Sequence, residues 1–255
     1  MLQNITPVIL TYNESPNIAR TLDALNWAKK IFVVDSFSTD DTVNICANYP
    51  NVSLIQRKFD QHATQWNFAI DQAKNADWIL ALDADHVVSP ALTEELSILQ
   101  PEQEIDAYQV HYQYLINGKP LRKSLYPPLF ALYRQGSGRY LQDGHTQRMH
   151  IKSGKTSSLN SFIQHDDRKS YQHWLNAQHK YARLEVKKLQ QTPFSQLSIN
   201  DKIRRLPFIA PMLVAPYLLI FKGLLLDGMT GITYVKQRLI AENILQYHLF
   251  IKTRD

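Results

Sequence analysis

The chain has 255 residues, 44% apolar and 20% charged; this is the make-up of an ordinary folded protein, not of a disordered one, and gives length for one large α/β domain, alone or with an appendage. A single cysteine, Cys46, excludes an internal disulfide framework and suits a reducing compartment. The net charge of +5 is uneven: from Ile151 onward 16 Lys and Arg face seven acids, a net of +9, which leaves −4 for the first 150 residues. A basic back half suits an anionic partner, whether nucleic acid, membrane or phosphorylated substrate.

In chain order, Ile5 to Leu10 reads as a buried strand with Pro7 near its start, too short and without the basic flank of a secretory leader. Ser15-Pro16 predicts a helix start, Ser as N-cap and Pro at the first helical position, and Ile18, Leu22 and Leu25 supply the helical spacing. Ile31 to Asp35 is a second strand. Asp40 or Asp41 caps a helix over Val43 to Asn48, and Val52 to Gln56 is a third strand. A helix over 63–74 and a strand over Trp78 to Leu82 follow, the strand ending at Asp83. Ser89-Pro90 repeats the cap-plus-proline start. The β-α-β-α alternation predicts a mostly parallel sheet covered on both faces, with ligands bound outside the carboxyl ends of the strands. At those ends stand Thr11-Tyr12-Asn13-Glu14, then Asp35, then Asp83-Ala84-Asp85.

After residue 105 the pattern changes. Ala107 to Ile116 alternates, Asn117-Gly118 is a turn signal, and Leu129 to Arg134 reads as a further strand. Residues 170–191 predict a long basic amphipathic helix. Leu206 to Phe221 carries no charge over 16 residues, with Arg204-Arg205 before it and Lys222 after. It is short for a span, and Pro207, Pro211 and Pro216 interrupt it. An in-plane contact with an anionic membrane, a buried segment and a dimer interface all fit it.

Side chains at i and i+2 of a strand share a face, so Asp83 and Asp85 can meet one ligand. Two hard oxygen donors suit Mg²⁺ or Mn²⁺, which bind phosphate oxygens. A bare pair of this kind is more often a solvated loop; the strand before it and the other strand-end clusters favour a site. Asp35 can accept hydrogen bonds from a base or ribose. Arg148 and Arg168 are candidates for phosphate contacts.

The ordered set Thr11-Tyr12-Asn13-Glu14, Val34-Asp35-Ser36-Phe37-Ser38-Thr39-Asp40 and Asp83-Ala84-Asp85 resembles the successive signatures of the family 2 glycosyltransferases. Gln65-Trp66-Asn67 and Tyr126-Pro127-Pro128 before Tyr133-Arg134 extend the resemblance toward bacterial lipopolysaccharide-core glucosyltransferases. It implies the GT-A fold, a Rossmann-like central sheet with flanking helices, here over residues 1–168, followed by a helical, basic and membrane-associating extension over 169–255. It implies an inverting, metal-dependent transfer from a nucleoside-diphosphate sugar, UDP-linked first, to a glycolipid or saccharide acceptor such as a lipopolysaccharide or surface polysaccharide. The implied location is cytoplasmic, on the inner face of the membrane, without nucleic acid. Thr11, Asn13 and Glu14 would border the nucleotide, Asp35 would hold the base, and Asp83 the ribose. Gln65, Asn67, His145 and Arg148 are the remaining candidate nucleotide and substrate contacts. Asp83, Asp85 and His165 would hold Mn²⁺ or Mg²⁺.

Two departures stand out. His86 replaces the glutamate of the common Asp-Ala-Asp-Glu, and Thr146 stands where relatives carry the glutamate that serves as base. Asp143 is the nearest carboxylate and the candidate base, with an Asp-Gly turn as the alternative and a catalytic role for His145 open. A dehydrogenase is disfavoured because no G-x-G-x-x-G follows the first strand. A sugar nucleotidyltransferase would need a glycine-rich, basic first loop. A non-catalytic membrane- or RNA-binding protein would explain the charge but not the strand-end clusters.

Overall fold

The computed structural model describes residues 1–144 and 146–251. They form two compact units. The first holds Met1–Asn117, Tyr126–Gln142 and Gln147–Arg168. The second holds Gly118–Leu125, the turn at Asp143, Gly144 and Thr146, and the chain from Lys169 onward.

In the first unit the chain runs β1 (Ile5–Thr11), α1 (Ile18–Asp23), β2 (Ile31–Asp35), α2 (Thr42–Ala47), β3 (Val52–Gln56), α3 (His62–Gln72), β4 (Trp78–Asp83), β5 (His86–Val88), α4 (Pro90–Ile98) and β6 (Ile105–Ile116). Past the two-residue β7 (Lys119–Pro120) of the second unit come β8 (Leu129–Arg134), β9 (Gly138–Asp143), β10 (Thr146–Ile151) and β11 (Lys155–His165). The sheet order is β3-β2-β1-β4-β8-β6-β11-β5, and β9 pairs with β10 separately. The neighbours from β3 to β4 are parallel, β8 is antiparallel to both its neighbours, and β5 is antiparallel to β11. This is the mostly parallel, helix-covered sheet that the alternation predicts.

The apolar runs are two-sided, as a doubly covered sheet requires. On β4, Trp78, Leu80 and Leu82 pack with Ile18 and Leu22 of α1 and Leu92 and Leu96 of α4, while Ile79 and Ala81 pack with Trp66 and Ile70 of α3. The period-2 alternation thus sorts one strand between two cores.

Local chemistry explains most element starts. Ser89 caps α4 by accepting from the Leu92 N–H at 3.2 Å, with Pro90 as the first helical residue. Asp40 serves α2, accepting from the Thr42 N–H at 3.1 Å. The start of α1 differs from expectation. Ser15 is not its cap; the Ser15 N–H donates to Asp40 at 3.0 Å, and the helix begins at Ile18. Cross-loop hydrogen bonds hold residues 13–15 and override the local Ser-Pro signal.

The second unit contains β7, α5 (Tyr171–Gln191), α6 (Ile199–Arg204), α7 (Ile209–Pro216) and α8 (Gly228–Gln246). Ser170 caps α5, and Ala182, Val186 and Leu189 of α5 pack with Ile244, Leu245 and Leu249. Helix α7 runs on into a π turn, Tyr217–Phe221.

The buried Ser89 hydroxyl also donates to the Phe162 carbonyl at 2.7 Å, joining the start of α4 to β11. Ser89→Ala removes both bonds and is expected to cost about 1–3 kcal/mol, read as a lower urea midpoint with unchanged slope.

Candidate active site

The register of the parallel strands brings the polar clusters level. Thr11 pairs with Asp35, Asp35 with Gln56, and Leu10 with Asp83. Thr11, Asp35 and Asp83 therefore lie at one carboxyl edge, where the open end of an α/β sheet receives ligands. The buried Thr11 hydroxyl has no hydrogen-bond partner among the described residues.

Asp35 is fully buried and organises the loops at this edge. Its carboxylate accepts from the Ser38 N–H at 2.9 Å, the Ser38 hydroxyl and the Gln56 amide at 3.0 Å. The loop after β1 is fastened to the loop after β2. The Asn13 N–H donates to Ser38, the Asn13 side-chain oxygen accepts from the Thr39 N–H, and the Glu14 N–H donates to Thr42, each at 2.8 Å. Asn13 sits in the left-handed region (φ 53°), which its short polar side chain tolerates.

Gln65 is buried and joins Arg57 and the Ser36 hydroxyl. Asn67 works differently: its amide donates to the Tyr140 carbonyl at 3.0 Å and accepts from the Tyr140 N–H at 2.9 Å, clamping α3 to β9.

The acidic triplet leaves β4 and enters β5. The Asp85 side chain is 13% exposed and that of Asp83 44%, so Asp85 is the more enclosed of the two. The β5–β11 ladder sets His165 opposite His86. As a result His165 Nε2 lies 3.4 Å from Asp85, and His86 Nε2 3.9 Å from Asp85 and 3.8 Å from Asp83. Burial pushes both imidazoles below their ordinary pKa, against the opposing pull of Asp85, so both rings are neutral at physiological pH. The Asp83 N–H donates to His86 Nδ1 at 3.0 Å. Neutral His86 therefore carries its proton on Nε2, which faces the Tyr126 hydroxyl at 3.4 Å; the two carboxylates, at 3.8 and 3.9 Å, lie beyond hydrogen-bond reach.

Ligand atoms of Asp85, His86 and His165 lie within 4.8 Å of one another. The donor chemistry fits a divalent cation on Asp85 and His165: a carboxylate, and a neutral ring whose buried Nδ1 has no hydrogen-bond partner among the described residues. His86, its Nδ1 engaged with the backbone and its Nε2 facing the Tyr126 hydroxyl, is less available as a ligand.

Several contributors were not legible in advance. Tyr112 and Tyr126 flank the histidines, with ring centroids 4.9 Å from His86 and 5.1 Å from His165, and Tyr114 stacks on His165 at 4.6 Å. Burial, then the charge of Asp83, raises the Tyr112 and Tyr126 hydroxyls well above their ordinary pKa, so they remain protonated. Tyr112 and Tyr114 share a strand face, the one signal of them in the alternation of β6. Asn17, Arg20 and Asp166 form a bonded group behind the triplet. Asn17 donates to Glu14 at 2.7 Å and to Asp167 at 2.9 Å. Arg20 and Arg168 both bond buried Asp166, so Arg168 is committed to an ion pair within the fold. The Asp166 N–H donates to the Asp85 carbonyl at 3.1 Å, tying the exit of β11 to the triplet.

Three further candidates remain. Arg148 is exposed on β10, and His145 falls outside the described residues. Asp143 belongs to the second unit, where Lys188 Nζ meets it at 2.8 Å and Asp201 at 3.3 Å. Burial works against the Lys188 charge, but Asp143, Glu185 and Asp201 together raise its pKa.

Thr21 of α1 is fully buried and donates to the Ala84 carbonyl at 2.8 Å, between the two aspartates. Thr21→Val keeps the shape and removes this donor. Stability is expected to fall by about 1–3 kcal/mol in urea unfolding.

The sequence profile described as glycosyl transferase family 2 matches residues 6–165. An uncharacterized glycosyltransferase of Rickettsia prowazekii is 29% identical, over 74% of this chain and 68% of that protein. The lipopolysaccharide core biosynthesis glycosyltransferase LpsC of Rhizobium meliloti is 26% identical, over 62% of this chain and 63% of its own length. Among solved structures, the mannosyltransferase PcManGT from Pyrobaculum calidifontis, in complex with GDP-Man and Mn²⁺, superposes with a TM-score of 0.53 at 16% identity, over 95% of this chain and 86% of that one. TarS of S. aureus, in complex with UDP, gives 0.50 at 13% identity, over 96% and 90%. Both share the fold described above.

Proposed function

Because the chain belongs to glycosyl transferase family 2 and is a glycosyltransferase, we propose that it moves a sugar from a nucleoside-diphosphate donor, UDP-linked first, to a lipid-linked or lipopolysaccharide-type acceptor, with inversion. The observation that carries the reading is the meeting of Asp85 and His165, 3.4 Å apart, beside the strand-end loops.

Thr11, Asn13 and Glu14 border the nucleotide, and the buried Thr11 hydroxyl, without a partner among the described residues, supports that reading. Asp35 holds the base through the loop it organises, with Gln65 beside it, and Asp83 holds the ribose. Asp85 and His165, with Asp83, would hold Mn²⁺ or Mg²⁺. A cation there supplies a Lewis acid that offsets charge on the departing diphosphate. His86 Nε2–H meets the Tyr126 hydroxyl and holds that ring beside the site. The half-buried tyrosines beside the histidines narrow the access of water to the reacting centre, which strengthens the electrostatics. The acceptor hydroxyl attacks the anomeric carbon opposite the leaving diphosphate and gives its proton to a general base, for which Asp143 is the candidate carboxylate. Neighbours bound to UDP or to GDP-Man with Mn²⁺ support the donor and metal assignment, and likeness to LpsC supports the acceptor. A glycolipid acceptor places the enzyme on the inner face of the cytoplasmic membrane.

Calorimetry of UDP with Mn²⁺ tests the donor half. The wild type is expected to bind UDP in a Mn²⁺-dependent manner, and Asp85→Asn and His165→Ala to lose about tenfold or more of that affinity. UDP binding indifferent to Mn²⁺ and to both substitutions sinks the proposal. For the base, Asp143→Asn is expected to lower kcat about 10²- to 10⁴-fold with UDP affinity unchanged. An unchanged kcat moves the role to another residue. Proton NMR of the product's anomeric configuration reads inversion directly.

A further inference from the structure

In the second unit an apolar surface lies open where α7 passes into α8. From Leu206 to Phe221 the chain has no charged residue. Pro216, the π turn after it and left-handed Gly223 (φ 71°) break the helix, so that Ile209–Phe221 and Leu224–Ile251 meet at 73°. Among the described residues no single helix is long and apolar enough to cross a membrane. The side chains at the bend point outward: Phe221 is 77% exposed, and Met212, Ile220 and Met229 are each 71% exposed.

The distribution of this surface matters more than its size. Sequence neighbours are exposed together, Ile220 with Phe221 and Leu225 with Leu226. Successive residues of a helical turn point roughly 100° apart, so the apolar surface wraps the bend and is not a stripe. A stripe suits the groove of a protein partner; a wrapped tip suits hydrocarbon, which surrounds what enters it.

The charges around the bend complete the pattern. Asp227 is the one acid between Leu206 and Lys236, and it is withdrawn. Its carboxylate takes the Arg122 guanidinium at 3.1 Å and the Arg122 backbone N–H at 3.1 Å. That pair holds the basic segment around Lys119, Arg122 and Lys123, all exposed, against the bend. The Leu125 N–H adds a bond to the Tyr234 hydroxyl at 2.9 Å. Lys222 lies 5.8 Å from the Tyr217 ring, an aromatic–cation pair of the kind that settles at headgroup depth.

We infer that α7, the bend and the start of α8 form an in-plane anchor for a bilayer carrying anionic headgroups. The apolar tip enters the acyl boundary by about 5–10 Å, and Lys222, Lys123 and Lys119 face the phosphates. This deepens the proposed function by naming the surface on which a glycolipid acceptor is met, and it is read without any donor.

The test is sedimentation of the full chain with vesicles of phosphatidylcholine, with and without phosphatidylglycerol. The wild type is expected to sediment with the anionic vesicles, less with the neutral ones, and less in high salt. Replacing Ile220, Phe221, Leu225 and Leu226 by serine is expected to reduce binding at least about tenfold, each exposed apolar side chain contributing to insertion. Hydrolysis of UDP-sugar without vesicles stays at the wild-type rate in that variant, which also shows that it folds. Phe221→Trp is expected to give a blue-shifted emission on anionic vesicles. Failure of the wild type to bind, binding by the serine variant equal to wild type, or an emission from the Phe221→Trp variant that vesicles leave unshifted overturns the inference. So does light scattering that shows a wild-type dimer made monomeric by the serine substitutions, with vesicle binding unchanged; the surface then belongs to a second copy. Loss of donor hydrolysis in the wild type would strike the donor reading and leave the vesicle result standing.

Discussion

The antiparallel ladder between β5 and β11 sets His165 opposite His86 and next to Asp85. The site's other features depend on that register. A slip of one residue would turn every side chain of β11 to the other face, taking His165 away from the carboxylate. The ladder is short, so it is reinforced from outside. Ser89 bonds the Phe162 carbonyl, Glu95 accepts from the Asn160 and Ser161 N–H groups, and the Asp166 N–H bonds the Asp85 carbonyl. Arg20 and Arg168 then close on Asp166 and keep its buried charge compensated.

Around this centre the protein commits its polar residues to holding loops in place. Asp35 spends its carboxylate on Ser38 and Gln56, and Asn13 joins the loops after β1 and β2. Phe37 keeps a left-handed backbone (φ 60°) with an exposed side chain. That conformation is costly for a bulky residue and persists because the surrounding hydrogen bonds over-determine it. Loops fixed this way are preorganised, and their hydrogen-bond donors need little rearrangement when a charged ligand arrives. The second unit uses charge for another purpose. Lys188 gathers Asp143, Glu185 and Asp201, and Arg204 pairs with Glu242, so acids and bases are satisfied among the helices while the apolar bend stays open.

Much of the fold was legible because its signals are local. The runs in β1, β2 and β4 are apolar on both faces, as only a doubly covered strand needs to be, and Ser89-Pro90 caps α4 as its chemistry dictates. Where a local signal met a tertiary contact, the contact prevailed. Ser15 gave up its capping role for a bond to Asp40 across the loop. Asn67 was legible as a polar residue on the face of α3, but not as a clamp on the Tyr140 backbone. Arg168 was legible as a cation near the end of β11, but not as the partner of Asp166.

By itself the sequence determined which residues end the parallel strands: Thr11, Asp35 and the Asp83 to Asp85 triplet, whose place follows from hydrophobic period and strand length. It also determined that Leu206 to Phe221 is apolar, basic at both flanks and broken by proline. Only the tertiary structure decided that His165 meets Asp85, that His86 is a donor with Nδ1 held by the backbone, and that Tyr112, Tyr114 and Tyr126 close around them. The reason is physical. A strand's own period shows which way its side chains face, whereas the partner across a sheet is chosen by the packing of the whole domain, and nothing local to His86 or to His165 records it.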